Sequence, residues 1–455
     1  MKLTDSERAM LDGGQGKARQ KAMDLLVRYG EALGAERFVN VTNVAGVPGY
    51  YNPVILSYYK VTADDAYDVV YSRFDLDSDE VVEVPRMVVN SCALQGGVDA
   101  EGWQTLGKTI DALRMSQTSE AESAARGVRI LKTCTPYLAG NVPLQGEHCA
   151  WMESSAVVYC NSVLGARTNT EGRESTSAAM LTGKIPDFGF HRDEHRYATH
   201  HIKVEVEVAN LMGWGMLGYF IGSQVGEQIP VVTGRIGRPE LIHHKHFGAA
   251  AASSGGVEMY HLEGITPEAP TLEEALGARE PQAVITYGKA EQQRTYDELN
   301  ARASDPNVDF VMLGCPHAAL EQLQEVAGLL EGKRISTSCN LWIFTSRAIK
   351  VEADALGLTK IIRAAGGAIL TDTCSSIAQA IPPGTKVAAL DSAKQTHYLP
   401  AIMGIQAWFG STADCINAAL TGRWKGVRPM GRTGGTRVAP RIDGEQAQLA
   451  QKERP

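Results

Sequence analysis

Apolar and polar positions along the chain follow two rhythms. Near the start they recur at helical spacing: Met23, Leu26, Tyr29 and Leu33 form one stripe behind a Gly13-Gly14 stop, and Thr4 with Glu7 has the spacing of a capping box. This predicts an all-helical opening lobe. From about Val39 to Gly97 the pattern is mixed and turn-rich (Gly46, Pro48, Gly49, Asn52, Pro53) and predicts little regular structure. After Val128, short apolar runs alternate with a turn and a helix-like segment. The runs are Val128 to Leu131, Pro230 to Val232, Ala283 to Thr286, Val308 to Leu313, Leu341 to Phe344, Ala368 to Leu370 and Val387 to Leu390. Such alternation predicts an α/β fold of several lobes, with parallel sheets flanked by helices. In open α/β sheets the ligand crevice lies beyond the carboxyl ends of the strands, so the residues just after these runs are the ones to inspect. No tandem repeat at solenoid period is visible.

Composition narrows the class. At 455 residues the chain exceeds one ordinary core, and 44% hydrophobic with 21% charged residues describes a soluble globular protein able to bury a cleft. The net charge of −8, with Lys and Arg scattered, offers no basic field for nucleic acid or acidic lipid, so a small-molecule ligand is expected. The most apolar stretch, Val208 to Gly222, is too short to span a bilayer and contains Asn210, and the polar N-terminus does not resemble a signal peptide. A cytoplasmic location is expected. The catalytic region is placed at residues 1–430 and the polar segment 431–455 is expected to be a flexible tail.

Eight cysteines without a secretory signal argue for reduced thiols or metal ligands, and the absence of any CxxC pair excludes the ordinary zinc-ribbon and thioredoxin readings. Three of them stand just after a predicted buried strand: Cys134 in VRILKTCTPY, Cys315 in VDFVMLGCPH and Cys374 in AILTDTCSS. If these strands face one cleft, three thiolates converge on an iron or iron–sulfur site with an open position; otherwise they are buried structural cysteines. Cys339 precedes its run and belongs at the opposite end of the sheet.

Two further segments carry candidate chemistry. HHKHFGAAAASSGG places Lys245 ahead of small residues and two hydroxyls, Ser253 and Ser254, either as an anion cradle or as a helix packed through alanines. The neighbouring His243, His244 and His246 read as a metal tract or as surface histidines. GEHCAWMESSAVVYCNSVLGARTNTEG is dense in Glu, Ser, Asn and Arg and reads as a substrate-contacting loop followed by a helix. His191 to His195 matches the H-x-x-E-H zinc-protease pattern, but Pro186, Phe188, Gly189 and Phe190 put it in a turn instead of the continuous helix that motif needs.

At these segments the chain resembles the aconitase X family, in which a catalytic large unit works with a small swivelling unit. The resemblance covers roughly residues 1–35 and 125–425 and rests on CTPYL, ESSAVVYCNSVLGARTN, GFHRDEHRYAT, KHFGAAAASSGG, GITPEAPTLEEAL, LGCPHA, DTC and DSAKQTHYLP, in that order. It implies an aconitase-like α/β architecture and a hydro-lyase acting on cis-3-hydroxy-L-proline or mevalonate 5-phosphate. It also implies an iron–sulfur cluster, [2Fe-2S], [3Fe-4S] or [4Fe-4S], on Cys134, Cys315 and Cys374. Two departures stand out: TNTEG where relatives have TNREG, and residues 39–100, which look unlike either familiar subgroup and are expected to shape the substrate pocket.

Loss of water needs a base for an acidic proton and an acid for the departing hydroxyl. The candidates are Ser253 or Ser254 helped by Lys245, with Glu153 and Glu194; Arg167 and Arg196 suit bidentate carboxylate recognition. Ser154, Ser155, Asn161, Thr168, Asn169 and His191 complete the expected substrate contacts. Against these stand a helix-start charge at Glu153 and surface ion pairs at the arginines. A compact set of Arg, Ser and Asn without a basic cluster beyond HHKH ranks a cis-3-hydroxyproline-like substrate ahead of mevalonate 5-phosphate. A separate small swivelling-domain subunit is expected as partner, since the segment after Trp424 is short and polar. The competing expectation is a binding or assembly subunit whose catalysis was lost with the 39–97 region.

Overall fold

The computed structural model describes residues 1–428, so the tail expected from Gly431 lies outside the described residues. Each of the seven apolar runs coincides with or overlaps a strand, at 128–130, 230–234, 283–287, 310–318, 340–345, 368–370 and 387–390. They combine with others into three wholly parallel sheets. The first has the order Val128–Ile130, Asn90–Ala93, Asn43–Gly46, Cys149–Trp151. The second runs Ala283–Tyr287, His200–Val204, Pro230–Gly234, His261–Leu262. The third runs Ala368–Leu370, Asn340–Thr345, Phe310–Ala318, Val387–Leu390, Gln406–Phe409. Helices cover the faces, which is why the central strands read as unbroken apolar runs.

The opening helices form as expected. Thr4 Oγ1 accepts the Glu7 N–H while Glu7 Oε2 accepts the Thr4 N–H, at 3.3 and 2.8 Å, and Met23 and Leu26 of Lys17–Ala32 are fully buried. The lobe they open is not all-helical. They pack against Arg173–Thr182 and the antiparallel ribbon of Phe38–Asn40 with Lys184–Pro186, around a parallel sheet that takes its two inner strands from the turn-rich region. Those strands, NVAG and NSCA, are short and buried among small or polar residues, so neither alternation nor a β-branched run marks them. The same region is pinned by a buried ion pair: Arg173 forks onto Asp75 at 2.9 Å through both contacts, and Ser177 donates to the same carboxylate.

The second lobe is built on the helices Leu211–Val225 and Leu241–Gly255, which cross with backbone against backbone. A Cβ on Gly218 would lie 2.2 Å from Phe247 O, and one on Gly222 2.3 Å from Ala251 O. The apolar stretch around Val208 to Gly222 is therefore a buried core helix, and among the described residues no helix is long and apolar enough to cross a membrane.

Candidate active site

Two loops at the carboxyl ends of strands and one bulged strand carry the cysteines. Cys134 follows Val128–Ile130, and its loop turns at Lys132, which takes a left-handed conformation (φ 49°) and donates its N–H to Ala93 O. Cys374 follows Ala368–Leu370 by the same device, with Asp372 at φ 68°, and then caps the short helix Ser375–Ala378. Cys315 differs from expectation: it lies inside its strand, which continues to Ala318 through a register shift after Leu313. Gly314 permits this. Its φ is 85° and a Cβ there would stand 2.0 Å from Phe344 O, so the strand bulges without ending.

The three thiols lie near enough to feel one another's charge. Each is pushed up to about 12, first by burial, then for Cys134 by Glu153, and each is raised further by another of the three: Cys315 acts on Cys134, Cys374 on Cys315 and Cys134 on Cys374. Cys134 Sγ also accepts the His317 N–H at 3.3 Å. Among the described residues no three His, Cys, Asp or Glu groups are close enough to hold a single metal ion. A polynuclear cluster asks for something else, soft thiolates each reaching its own iron, and this donor set fits that demand. Cys339 packs in the other core layer of the sheet, with Leu341 and Ile369, away from Cys315.

Beside the thiols lies an ion pair. Glu153, ahead of the helix Ser154–Ser162, accepts from Lys394 Nζ at 2.7 Å and Ser155 Oγ at 3.0 Å on Oε1, and from Gln95 Nε2 at 3.2 Å on Oε2. Burial alone would raise Glu153, but Lys394, Ser155 and Gln95 outweigh it and hold the carboxyl below its usual range. Burial would likewise lower Lys394, yet Glu153 and Cys315 hold it above its ordinary value. Both are therefore charged. Lys394 escaped the sequence reading, although its signal was present: it opens the helix after Val387–Leu390, at the same strand ends that carry the cysteines.

Other candidates fall elsewhere. Lys245 is buried, and its Nζ donates to the carbonyls of His317 at 2.8 Å and Pro316 at 3.3 Å and to Gln322 Oε1. Burial lowers it to about 8 against the pull of Cys134, Asp391 and Cys315. It fastens the Cys315 loop. Ser253 and Ser254 are not beside it: at about 1.5 Å of rise per residue they lie roughly 12 Å further along the helix. Their hydroxyls donate back to Ala249 O and Ala250 O, and Ser254 abuts Gly222.

Asn161, Thr168 and Arg196 form one buried network, in which Arg196 forks onto Glu268 and also donates to the carbonyls of Phe190, Asn161 and Ala166. Asn169 pins the turn through Phe188 O and the Phe190 N–H, and Arg167 pairs with Asp193 and His191 O. His191 is buried against His148 Nδ1 at 3.0 Å and held neutral by burial and then by His148, at about 3. The 191–195 segment is two short 3₁₀ turns, so the zinc-protease geometry is absent. Glu194, exposed, lines a cleft of about 710 Å³ with Ser154, Asn169 and Tyr29. A groove of about 910 Å³ between the opening helices and Pro53–Tyr59 holds none of the cysteines. The 39–100 region does reach the cysteine loops: besides Gln95, Gly96 donates its N–H to Asp372 O, and the Asp99 carboxylate accepts the Thr371 N–H.

Family models describing the aconitase X first, second and third domains match residues 1–194, 198–297 and 308–421. The phosphomevalonate dehydratase large subunit of Methanothermobacter thermautotrophicus is 38% identical over 417 residues, 91% of this chain and 98% of that protein. The cis-3-hydroxy-L-proline dehydratase of Pseudomonas aeruginosa is 32% identical over 430 residues, 93% of this chain and 70% of that one. A crystal structure of Thermococcus kodakaraensis aconitase X in its holo-form superposes with a TM-score of 0.74 at 30% identity, covering 92% of this chain and all of that one. The named relatives are dehydratases, that is hydro-lyases, and with three family models covering most of its length this chain belongs to the aconitase X family.

Proposed function

We propose that this chain is the catalytic subunit of a hydro-lyase that removes water from a small hydroxylated carboxylate, a cis-3-hydroxy-L-proline-like compound first among them. The observation that carries the reading is the convergence of Cys134, Cys315 and Cys374 beside the Glu153–Lys394 pair. An iron–sulfur centre on these three cysteines would keep one iron position free and, when bound, supply Lewis acidity to the departing hydroxyl. Raised by burial, the thiols give up their protons on loading, and Lys394 offsets part of the thiolate charge.

Glu153 is the base. At rest Lys394 keeps it ionised and weakly basic; a substrate carboxylate that draws Lys394 Nζ to itself returns basicity to Glu153 Oε1, which then accepts the proton from carbon. Cations around the thiols are already engaged, Lys394 by Glu153, Lys132 by Glu120, Arg347 by Glu120 and Asp372, and Lys245 by the carbonyls of Pro316 and His317 and by Gln322. That balance suits a compact zwitterion better than a dianionic phosphate. The second reading, mevalonate 5-phosphate, is favoured by the higher identity and near-complete coverage of the phosphomevalonate dehydratase large subunit. A separate small subunit completes the enzyme in either case.

Anaerobic reconstitution with iron and sulfide tests the assignment. Cys134→Ser, Cys315→Ser and Cys374→Ser are each expected to bleach the visible absorption and remove turnover, and Cys339→Ala or Cys92→Ala to do neither. Iron and turnover retained in the three Ser variants, or an active iron-free enzyme, defeats the reading. Turnover of phosphorylated substrates alone replaces the first substrate class by the second.

A further inference from the structure

The three cysteines come from two lobes: Cys134 lies in the region matching the first aconitase X domain, Cys315 and Cys374 in the region matching the third. Their spacing depends on whatever registers one lobe against the other. His317, fully buried and two residues past Cys315, occupies that junction. Its ring bonds both of the other cysteine loops, Nδ1 to Thr133 Oγ1 at 2.9 Å and Nε2 to the Thr373 carbonyl at 2.8 Å. A carbonyl only accepts, so Nε2 carries the proton, Nδ1 accepts from the Thr133 hydroxyl, and Thr133 Oγ1 accepts the Thr135 N–H at 3.1 Å. The Nε2 bond has one direction, and the Thr133 hydroxyl, which also lies 3.0 Å from Thr135 Oγ1, ties Nδ1 to the Cys134 loop.

We propose that His317 is a positioning residue: an imidazole latch between lobes whose bonds to Thr133 and Thr373 set the spacing of the Cys134 and Cys374 loops for the iron–sulfur centre. The inference rests on the three cysteines being the ligands. The ring presents an acceptor and a donor on opposite sides at fixed separation, and glutamine can reproduce only one of them. A second tie joins the same loops without passing through the ring. Lys132 and Arg347 both pair with Glu120, and Arg347 also with Asp372, linking the two left-handed residues that stand two positions before Cys134 and Cys374. Removing the imidazole contacts therefore loosens the ligand spacing without parting the lobes.

Thr133→Val deletes the donor to Nδ1 in nearly the same volume, Thr133→Ser keeps it, and His317→Gln keeps only the Thr373 bond. Hydrogen exchange of segments 130–137 and 371–377 is read in the full-length iron-free chain, and anaerobic iron loss to a ferrous chelator in the loaded one. Thr133→Val and His317→Gln should speed exchange in both segments and release iron about ten-fold faster or more, the scale set by partners of metal ligands, while Thr133→Ser stays near the native protein. Should His317→Gln fail to fold, Thr133→Val and Thr133→Ser decide alone. Unchanged exchange and unchanged iron loss in Thr133→Val overturn the latch while leaving the ligand assignment intact. A native chain that takes up no iron overturns the ligand assignment and, with it, the role given to His317.

Discussion

Glu153 and Lys394 form a single buried pair whose effect on stability can be separated from its proposed role in the chemistry. Removing one charge leaves the other uncompensated in a largely buried setting, at a cost of about 3 kcal/mol, whereas removing both is close to neutral. Glu153→Gln is expected to lower the unfolding free energy by about that amount and turnover by about a hundred-fold or more. The double variant Glu153→Gln with Lys394→Met should regain stability in denaturant titrations and none of the turnover. Glu171 offers a pH test. Burial, partly offset by Ser175 and Tyr29, raises it to about 7 from 4.5. The folded state thus holds this proton more tightly than the unfolded state, so its contribution is fully present below pH 4.5 and is lost as pH rises through 7. Comparing native protein with Glu171→Gln across that window should show the native advantage shrinking by on the order of 3 kcal/mol. The opposite slope from buried His191 and His317, lowered by burial to about 3 and 4, is common to both proteins and cancels. A pH-independent difference would show that burial does not govern Glu171.

Helix contacts give the sharpest contrast between glycines. A methyl on Gly222 meets the Ala251 backbone, which cannot yield without parting the two helices of the second lobe, so Gly222→Ala should cost about 3 kcal/mol. Gly328, exposed within Leu320–Leu330, has open space where its Cβ would be, and Gly328→Ala should add about 0.5–1 kcal/mol. Thermal unfolding of the two variants checks both signs. Element by element, legibility followed burial and composition. Val308 to Leu313 and Leu341 to Phe344 could be read because parallel strands covered on both faces are continuous apolar runs. Asn43–Gly46 and Cys149–Trp151 are just as buried but too short and too poor in branched residues to register. Cys134 and Cys374 stand just after strands as read, Cys315 lies inside a strand that bulges on past it, and Lys394 could have been found by the strand-end rule. Ser253 and Ser254 were grouped with Lys245 by nearness in sequence, which a straight helix converts into distance. His317 carried no signal, since a histidine beside a Cys-Pro pair looks the same whether it packs or latches.

At the scale of the whole molecule the cysteines lie where the first and third lobes meet, and they are not sealed: Cys134 and Cys315 retain 8% exposure and Cys374 is half-buried. A charged base and an open iron position both perform poorly in contact with bulk water, because water competes for the iron and screens the pairing on which Glu153 and Lys394 depend. On the proposed mechanism, something has to cover them during turnover. Relatives matching this chain over nearly their whole length are named large subunits, which implies a small-subunit partner that could supply this cover. Loading and catalysis should therefore separate. The purified chain is expected to take up iron and sulfide normally yet turn over at no more than about 1% of the complex, the scale of rate lost when a site fails to close on its substrate. Titration with the small subunit should then raise turnover to a plateau at one partner per chain, with iron content and visible absorption unchanged throughout. Full activity from the single loaded chain would refute this, and an iron content that rises with the partner would place the partner in cluster assembly instead of closure.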